Sequence, residues 1–540
     1  LTFRDSAGSG LEMQLCENIT VVKCKVNNIR NHGIKAPGGK NITIDSCTVY
    51  DIGLSGIINT GGNKQTLTPA NKVITKCSVK RCNLLNQVEA SVIIHGCGNT
   101  LSYSLISDGG TAVWCDGNNH IIEYNHFDNI GHGQDDAGTI YSGRNSSAFG
   151  HIIRYNFFNN CGSRLPGGCQ YDNVNGCGGR PFVNGLPTTP PNPNETQWTI
   201  GVYWDDLESG HTVKGNVFYN CGSGPKGGAC GFNGGVYHNV ENNIIIGSAV
   251  GYGASMYGSN YWNDSLRGKK WSTYNPNNWP WYETGGPLGP SGEVKAYTGY
   301  GPYNAEWVIG HGAGGFDSSN WAGIMHAVDI RKPEYVSSYP NLAKLIKQNA
   351  NGDPELDITN LNDFKNIAKN NVIVQCGQPL ATWTGSSGGV PVGGWIVSGE
   401  VVTNTYPDFV NAAALNFKLT PAGLNAIRAQ SPTFEDIPFE NIPTKNYVPE
   451  PYSVNTTTGN KTSCSSDKYV IDTSYLPMFT SASNDQNISV PPSSVMRNFR
   501  NRIFDSVVFN GPGDFVMHEQ LQSGARCAIT VDMRNTRFYH

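Results

Sequence analysis

The chain has 540 residues, of which 15% are charged, and a net charge of −4. This balance excludes a basic nucleic-acid-binding surface and an acidic disordered tail. Gly (65), Tyr (25) and Trp (11) are abundant, long helical periodicity is almost absent, and no apolar run approaches the ~18 residues that span a membrane.

Short strands and Gly/Asn turns begin near the first residue, so the expected class is all-β. The opening "LTFRDSAGSG" has no Met or signal peptide and starts inside the repeat, so a preceding segment is expected. In chain order, "VVKCKV", "IDSCTV", "ITKCSV", "LSYSLI", "IIEYNHF", "IIRYNFF", "TVKGNVF" and "VENNIII" share one pattern: an apolar residue, two variable ones, a small polar anchor, then a strand. The anchors are Cys24, Cys47, Cys77, Ser104, Asn125, Asn156, Asn216 and Asn243, spaced by 23, 30, 27, 21, 31, 60 and 27 residues. A repeat of that size, with insertions lengthening some units, predicts a parallel β-helix, a solenoid whose rungs stack ~4.8 Å apart. Repeated Asn would form a ladder, and the early Cys anchors are read as small buried hydrophobes. Cys161 and Cys221, both in "NCG", are expected to stack as thiols or to form a disulfide.

Between these rungs the strands "TAVWCDGNN", "GTIYSGRN", "IGVYWDDLE" and "GGVYHNVEN" align without gaps. The alignment puts Val113, Ile140, Val202 and Val236 inward, and Trp114, Tyr141, Tyr203 and Tyr237 in the outward column beside them. Two residues on lie Asp116, Gly143, Asp205 and Asn239, with Asp206 at the strand end. Aromatic rings beside carboxylates suit a sugar-binding floor. "QDDAG" adds Asp135 and Asp136 at the turn into the second of these strands. Asp before Gly is also a common turn. Clustered Asp and Asn leave a structural calcium open, although no EF-hand loop is present. His132, His151 and His238 form no zinc signature, and no other cofactor is expected.

Two insertions follow. Residues 162–198, with Cys169, Cys177 and "PTTPPNPNET", fall between the two Asp motifs; a second insertion, about 250–365, carries "WSTYNPNNWPWYETGG". Trp279 and Trp281, with Trp271 and Tyr282, are candidate stacking platforms there. "NLAKLIKQN" (341–349) predicts one short helix, and "AKNNVIV" and "GWIVSGEVVTN" predict returning rungs. The β-helix is placed in residues 1–445. Residues 446–540 are read as a Ser/Thr/Asn-rich linker or tail, with a small β module closed by Cys464 and Cys527.

Fifteen cysteines and eight sequons, at Asn18, Asn41, Asn145, Asn194, Asn263, Asn455, Asn460 and Asn487, favour a secreted or surface glycoprotein with disulfides. The odd cysteine count leaves at least one free thiol.

"DAGTIYSGR", "GVYWDDLESG" and "VKGNVFYN", with "SSYPNLAKLIKQN", "NNVIVQCG" and "PDFVNAAALNFKLTPAGLNAI" downstream, resemble secreted right-handed parallel β-helix carbohydrate-active proteins, and most nearly glycoside hydrolase family 141. The resemblance covers residues 10 to 445. It implies a right-handed helix and hydrolysis of a polysaccharide or glycan by two aspartates, at Asp136 and at Asp205 or Asp206. Alternation favours Asp205. A fully extended chain would leave Asp136 ~23 Å along the strand from Asp205, so the turn must fold back. By register alone the rival pair is Asp116 with Asp205, about 10 Å apart across Gly143. Arg144, at the groove edge, is a further substrate-binding candidate.

Two other functions compete. One is a noncatalytic structural or glycan-binding β-helix glycoprotein of an extracellular assembly. The other is a polysaccharide lyase using Arg144 or Arg154.

Overall fold

The computed structural model describes residues 1–64, 66–86, 89–131, 136–143, 147–162, 199–205, 207–222, 227–266, 333–348, 354–384, 388–444 and 447–448, and the strands at 182–183, 186–187, 514–520 and 526–532. Three sheets of 11, 13 and 10 strands wind along one axis. Successive strands within each sheet come from successive repeats and pair in parallel and in register, as in Val79↔Ile106, Ile122↔Ile153 and Ile140↔Val202. The fold is all-β with few helices, a parallel β-helix. Its interior is one apolar column, including Val49, Val79, Ile106, Phe127, Phe158 and Phe218.

The anchors of the repeat hold the stack together. Each anchor accepts a backbone N–H from the preceding rung: Asn125 Oδ1 from Ser104 N at 3.0 Å, Asn156 from Asn125 at 2.9 Å, Asn216 from Asn156 at 2.9 Å, and Asn243 from Asn216 at 2.9 Å. The ladder ends on Asn371 and then Glu400. The cysteines are more than small hydrophobes: Cys47 Sγ accepts the Cys24 N–H at 3.4 Å, and the Cys77 N–H reaches Ser104 Oγ at 3.0 Å. Cys161 and Cys221 are buried free thiols, as are Cys24, Cys47, Cys77, Cys82, Cys97, Cys115 and Cys230. The disulfide option for Cys161 and Cys221 is therefore corrected; in-register stacking holds them without a bond.

A second ladder escaped the sequence reading. His120 Nδ1 accepts the Asn99 N–H, and His151, His211 and His238 each accept the N–H of the histidine one rung before, at 3.1 to 3.3 Å. The rings stack 4.9, 4.4 and 5.5 Å apart. With Nδ1 accepting, the proton of each neutral ring sits on Nε2. Burial pulls these imidazoles down, His120 to about 4 and His238 to about 3, with His151 and His211 well below the usual value.

The later rungs return as expected, at Asn366–Lys369, Val372–Val374, Trp395–Ser398 and Val401–Thr403. The expected helix at 341–349 is shorter: Pro340–Leu345 is helical, then Ile346–Gln348 is a strand pairing with Pro354–Leu356. Beyond the rungs, Phe417, Leu419, Ile427, Phe434, Ile437 and Ile442 cover the outer side of the 11-stranded sheet, packing on Phe157, Val217, Tyr219 and Ile244. Strands Asp514–Gln520 and Arg526–Asp532 form a hairpin, and its second strand pairs antiparallel with Leu11–Gln14 of the first rung. Cys464 lies outside the described residues.

Candidate active site

The 13-stranded sheet carries the candidate residues. Its register matches the sequence alignment for three rungs: Val113, Ile140 and Val202 are inward and fully buried, and Trp114, Tyr141 and Tyr203 are cross-strand neighbours. The fourth rung corrects the alignment. Its strand is Gly228–Asn233, so Cys230 lies beside Val202, Gly231 beside Tyr203, and Asn233 extends the Asp205 register. Tyr237 follows the strand in a left-handed turn (φ 61) and packs edge-on against Phe364; Asn239 begins a strand of another sheet. "GACGFN" has little strand character of its own, and the stronger "GGVY" masked it.

Asp205 ends strand Thr199–Asp205 and is 4% exposed. Its Oδ2 accepts from the Tyr141 hydroxyl at 3.0 Å; its Oδ1 accepts from the Tyr203 hydroxyl at 3.1 Å and from Asn233 Nδ2 at 2.8 Å. The Tyr203 hydroxyl also reaches Asp136 Oδ1 at 3.2 Å. One hydroxyl thus bridges two carboxylates from adjacent rungs. Two such contacts through one oxygen bring the bridged carboxylate oxygens within about 6 Å of each other.

The turn does fold back. Asp136 has φ 53, a left-handed conformation that short polar side chains tolerate, and it stands exposed just before strand Ala137–Gly143.

Asp116 is half-buried, in register beside Gly143, which lies beside Asp205. No hollow is left at Gly143. A Cβ there would fall 2.7 Å from Asp205 Cβ and 3.0 Å from the Tyr141 hydroxyl, so the absent side chain lets Tyr141 cross to Asp205. Asp136 shares a hydrogen-bond donor with Asp205, the Tyr203 hydroxyl.

Glu208, absent from the sequence candidates, lies fully buried behind the pair. Its Oε1 accepts from the Ser142 hydroxyl at 2.7 Å, and its Oε2 is 3.6 Å from His211 Nε2. Burial first, then Asp116, pushes its carboxyl well above the usual carboxylate range. Lys64 is also buried; desolvation lowers its ammonium against the opposing pull of Asp116 and Glu208. The only sequence signal for Glu208 is its place in "DDLESG".

Arg154 belongs to another sheet and pairs with Glu123 at 2.6 Å, which removes it as a lyase base on this face. Among the described residues, no group of three or more His, Cys, Asp or Glu could hold a metal ion. Asn18 and Asn41 are exposed, whereas Asn263 Oδ1 is held by the Leu356 N–H at 2.7 Å. Asp135, Asp206, Arg144, Trp271, Trp279, Trp281, Tyr282, Asn145, Asn194, Asn455, Asn460 and Asn487 lie outside the described residues.

One family model, described as the right handed beta helix region, matches residues 9–185. The chain is a right-handed parallel β-helix. In this β-helix the matched stretch contains the Asp136 rung and stops before Asp205. No match is found among curated proteins or solved structures. No described helix is long and apolar enough to cross a membrane.

Proposed function

We propose that this β-helix is an extracellular glycoside hydrolase whose reacting pair is Asp136 and Asp205. The observation that carries the reading is the Tyr203 hydroxyl shared by the two carboxylates. Asp136 is the exposed member, placed to protonate the leaving glycosidic oxygen as its bond to the anomeric carbon breaks. Asp205, fixed by three donors, attacks that carbon and forms a glycosyl ester. Water then displaces the ester, giving its proton to Asp136. An upper limit of about 6 Å at the bridged oxygens supports this retaining course over the ~6.5–9.5 Å of inverting enzymes. The resemblance to glycoside hydrolase family 141 and the aromatic column beside Asp205 support the same reading, and the sequons support secretion.

The burial of Asp205 favours a second reading, a noncatalytic glycan-binding or structural glycoprotein. A glycan panel assayed for reducing-end release separates them. Asp136→Asn and Asp205→Asn are each expected to lower turnover at least about a thousandfold, with retained anomeric configuration in the wild-type product. Equal activity in all three proteins would remove the assignment.

A further inference from the structure

On the same face, two rungs before Asp205, lies a second group of aromatic and polar side chains that the reacting pair does not use. The Trp114 ring meets His95 edge-on at 5.9 Å and Tyr141 at 6.0 Å. Asp116 is two residues further along the Trp114 strand and so projects to the same side; it lies in register with His95 of the preceding rung. Trp114, Asp116 and His95 each keep part of their surface open, while Tyr203 and Asp205 are buried.

The register Trp114↔Tyr141↔Tyr203 puts one aromatic residue on each of three rungs. Rungs repeat every ~4.8 Å, and a sugar unit in an extended glycan advances by about one such step. A glycan lying along the helix axis would therefore place one sugar on each rung. With its reacting bond at Asp136 and Asp205, the sugar two units away falls on Trp114. Its apolar face can rest on the indole, with its hydroxyls donating to the Asp116 carboxylate.

Among the described residues, the charge on this face favours an uncharged sugar. Asp116, Asp136 and Asp205 all border the path, and the described cation beside them, Lys64, already interacts with Asp116 and Glu208. A uronate over Trp114 would set like charges against each other.

We propose that Trp114 and Asp116 form a sugar-binding subsite two units from the reacting bond, and that its ligand is a linear, uncharged glycan running along the helix axis. This rests on Asp136 and Asp205 being the reacting pair.

Calorimetric titration of the full chain carrying Asp205→Asn tests it, with neutral gluco-, manno- and xylo-linked hexasaccharides and an oligogalacturonate of equal length as probes. At least one neutral hexasaccharide is expected to bind, and the oligogalacturonate to bind at least tenfold more weakly. Adding Trp114→Leu should weaken the neutral ligand at least tenfold, and Asp116→Asn should narrow the gap between neutral and charged ligands. Tyr103→Ala, on another face, should leave both affinities unchanged; melting temperatures confirm that each variant folds. No binding of any neutral hexasaccharide, tighter binding of the oligogalacturonate, or parental affinity in Trp114→Leu would each overturn the subsite. If the wild type binds a hexasaccharide in this pattern but cleaves none, the catalytic reading falls and the binding site stands. If it cleaves and Trp114→Leu changes nothing, the subsite falls and the catalytic reading stands.

Discussion

The Tyr203 hydroxyl has one proton to give and contacts two carboxylates, so removing it unlinks Asp136 from Asp205, which keeps its bonds from Tyr141 and Asn233. Hydrogen bonds to charged groups contribute about 1.5–3 kcal/mol. Tyr203→Phe is therefore expected to lower kcat about 10- to 100-fold on a cleaved glycan while the protein stays folded, as steady-state kinetics and a melting curve would show. Gly143 is a second sensitive position. Alanine there would meet Asp205 Cβ and the Tyr141 hydroxyl at 2.7 and 3.0 Å. The Asp205 Cβ, fixed to its strand, must shift, so Gly143→Ala should lower kcat by at least a similar factor, and adding Tyr141→Phe should not restore it. At this scale alternation made the register of Trp114, Tyr141, Tyr203 and Asp205 legible. It could not show that Asp136 turns back, because an extended chain was the only geometry that spacing offered. The burial of Glu208 was equally hidden, since nothing local separates a buried glutamate from a solvated one.

Ladders are the elements that fix the rungs. Asn156 Nδ2 donates to Ile122 O and Arg154 O, and its Oδ1 accepts from Asn125. Asn156→Ala leaves an N–H and two carbonyls without this partner inside the stack. Each orphaned buried group costs ~1–3 kcal/mol, so a loss of about 3 kcal/mol is expected in urea unfolding, against little change for Asn404→Ala at an exposed bend. The Asn anchors were legible because their spacing recurs beside apolar strands. The histidine ladder carried the same signal: His120, His151, His211 and His238 each stand five residues before Asn125, Asn156, Asn216 and Asn243. Testing histidines only as zinc ligands left that repeat unread. The Tyr237 misplacement shows the opposite failure, in which a strong local strand motif outweighed the rung register.

Across the whole molecule, strands distant in sequence meet without any local cue, as when Arg526–Asp532 pairs with Leu11–Gln14, so the closing of the first rung could not be read from spacing. Rung stacking also buries ionisable groups in two opposed sets, and their balance predicts a stability optimum. Burial lowers His32 to about 3, His95 and His120 to about 4 and His238 to about 3, and takes His151 and His211 well below the usual value. The unfolded chain binds those protons from pH ~6.5 downward while the native rungs do not, so stability falls as pH drops below 6.5. Burial acts oppositely on carboxyls: Glu89 and Glu400 rise to about 7, and Glu208 rises well above the usual range. All three contributions are complete below the unfolded value of 4.5, and those of Glu89 and Glu400 are lost as pH climbs through about 7. Each group that differs in protonation contributes about 1.4 kcal/mol per pH unit. Between pH 4.5 and 6.5 the six histidines outnumber the three glutamates, so stability rises with pH. Above 6.5 the three glutamates outweigh the buried Lys64, whose lowered ammonium acts in the opposite sense, and the slope reverses. Calorimetric melting between pH 4 and 9 should therefore peak near pH 6.5, with the longer fall on the acid side. Glu400→Gln removes one carboxyl that differs in protonation from pH 4.5 to about 7, so it should flatten the alkaline limb and steepen the acid limb above pH 4.5. A melting temperature that rises steadily through pH 8, or a Glu400→Gln profile parallel to wild type, would show that these buried groups do not titrate as their surroundings dictate.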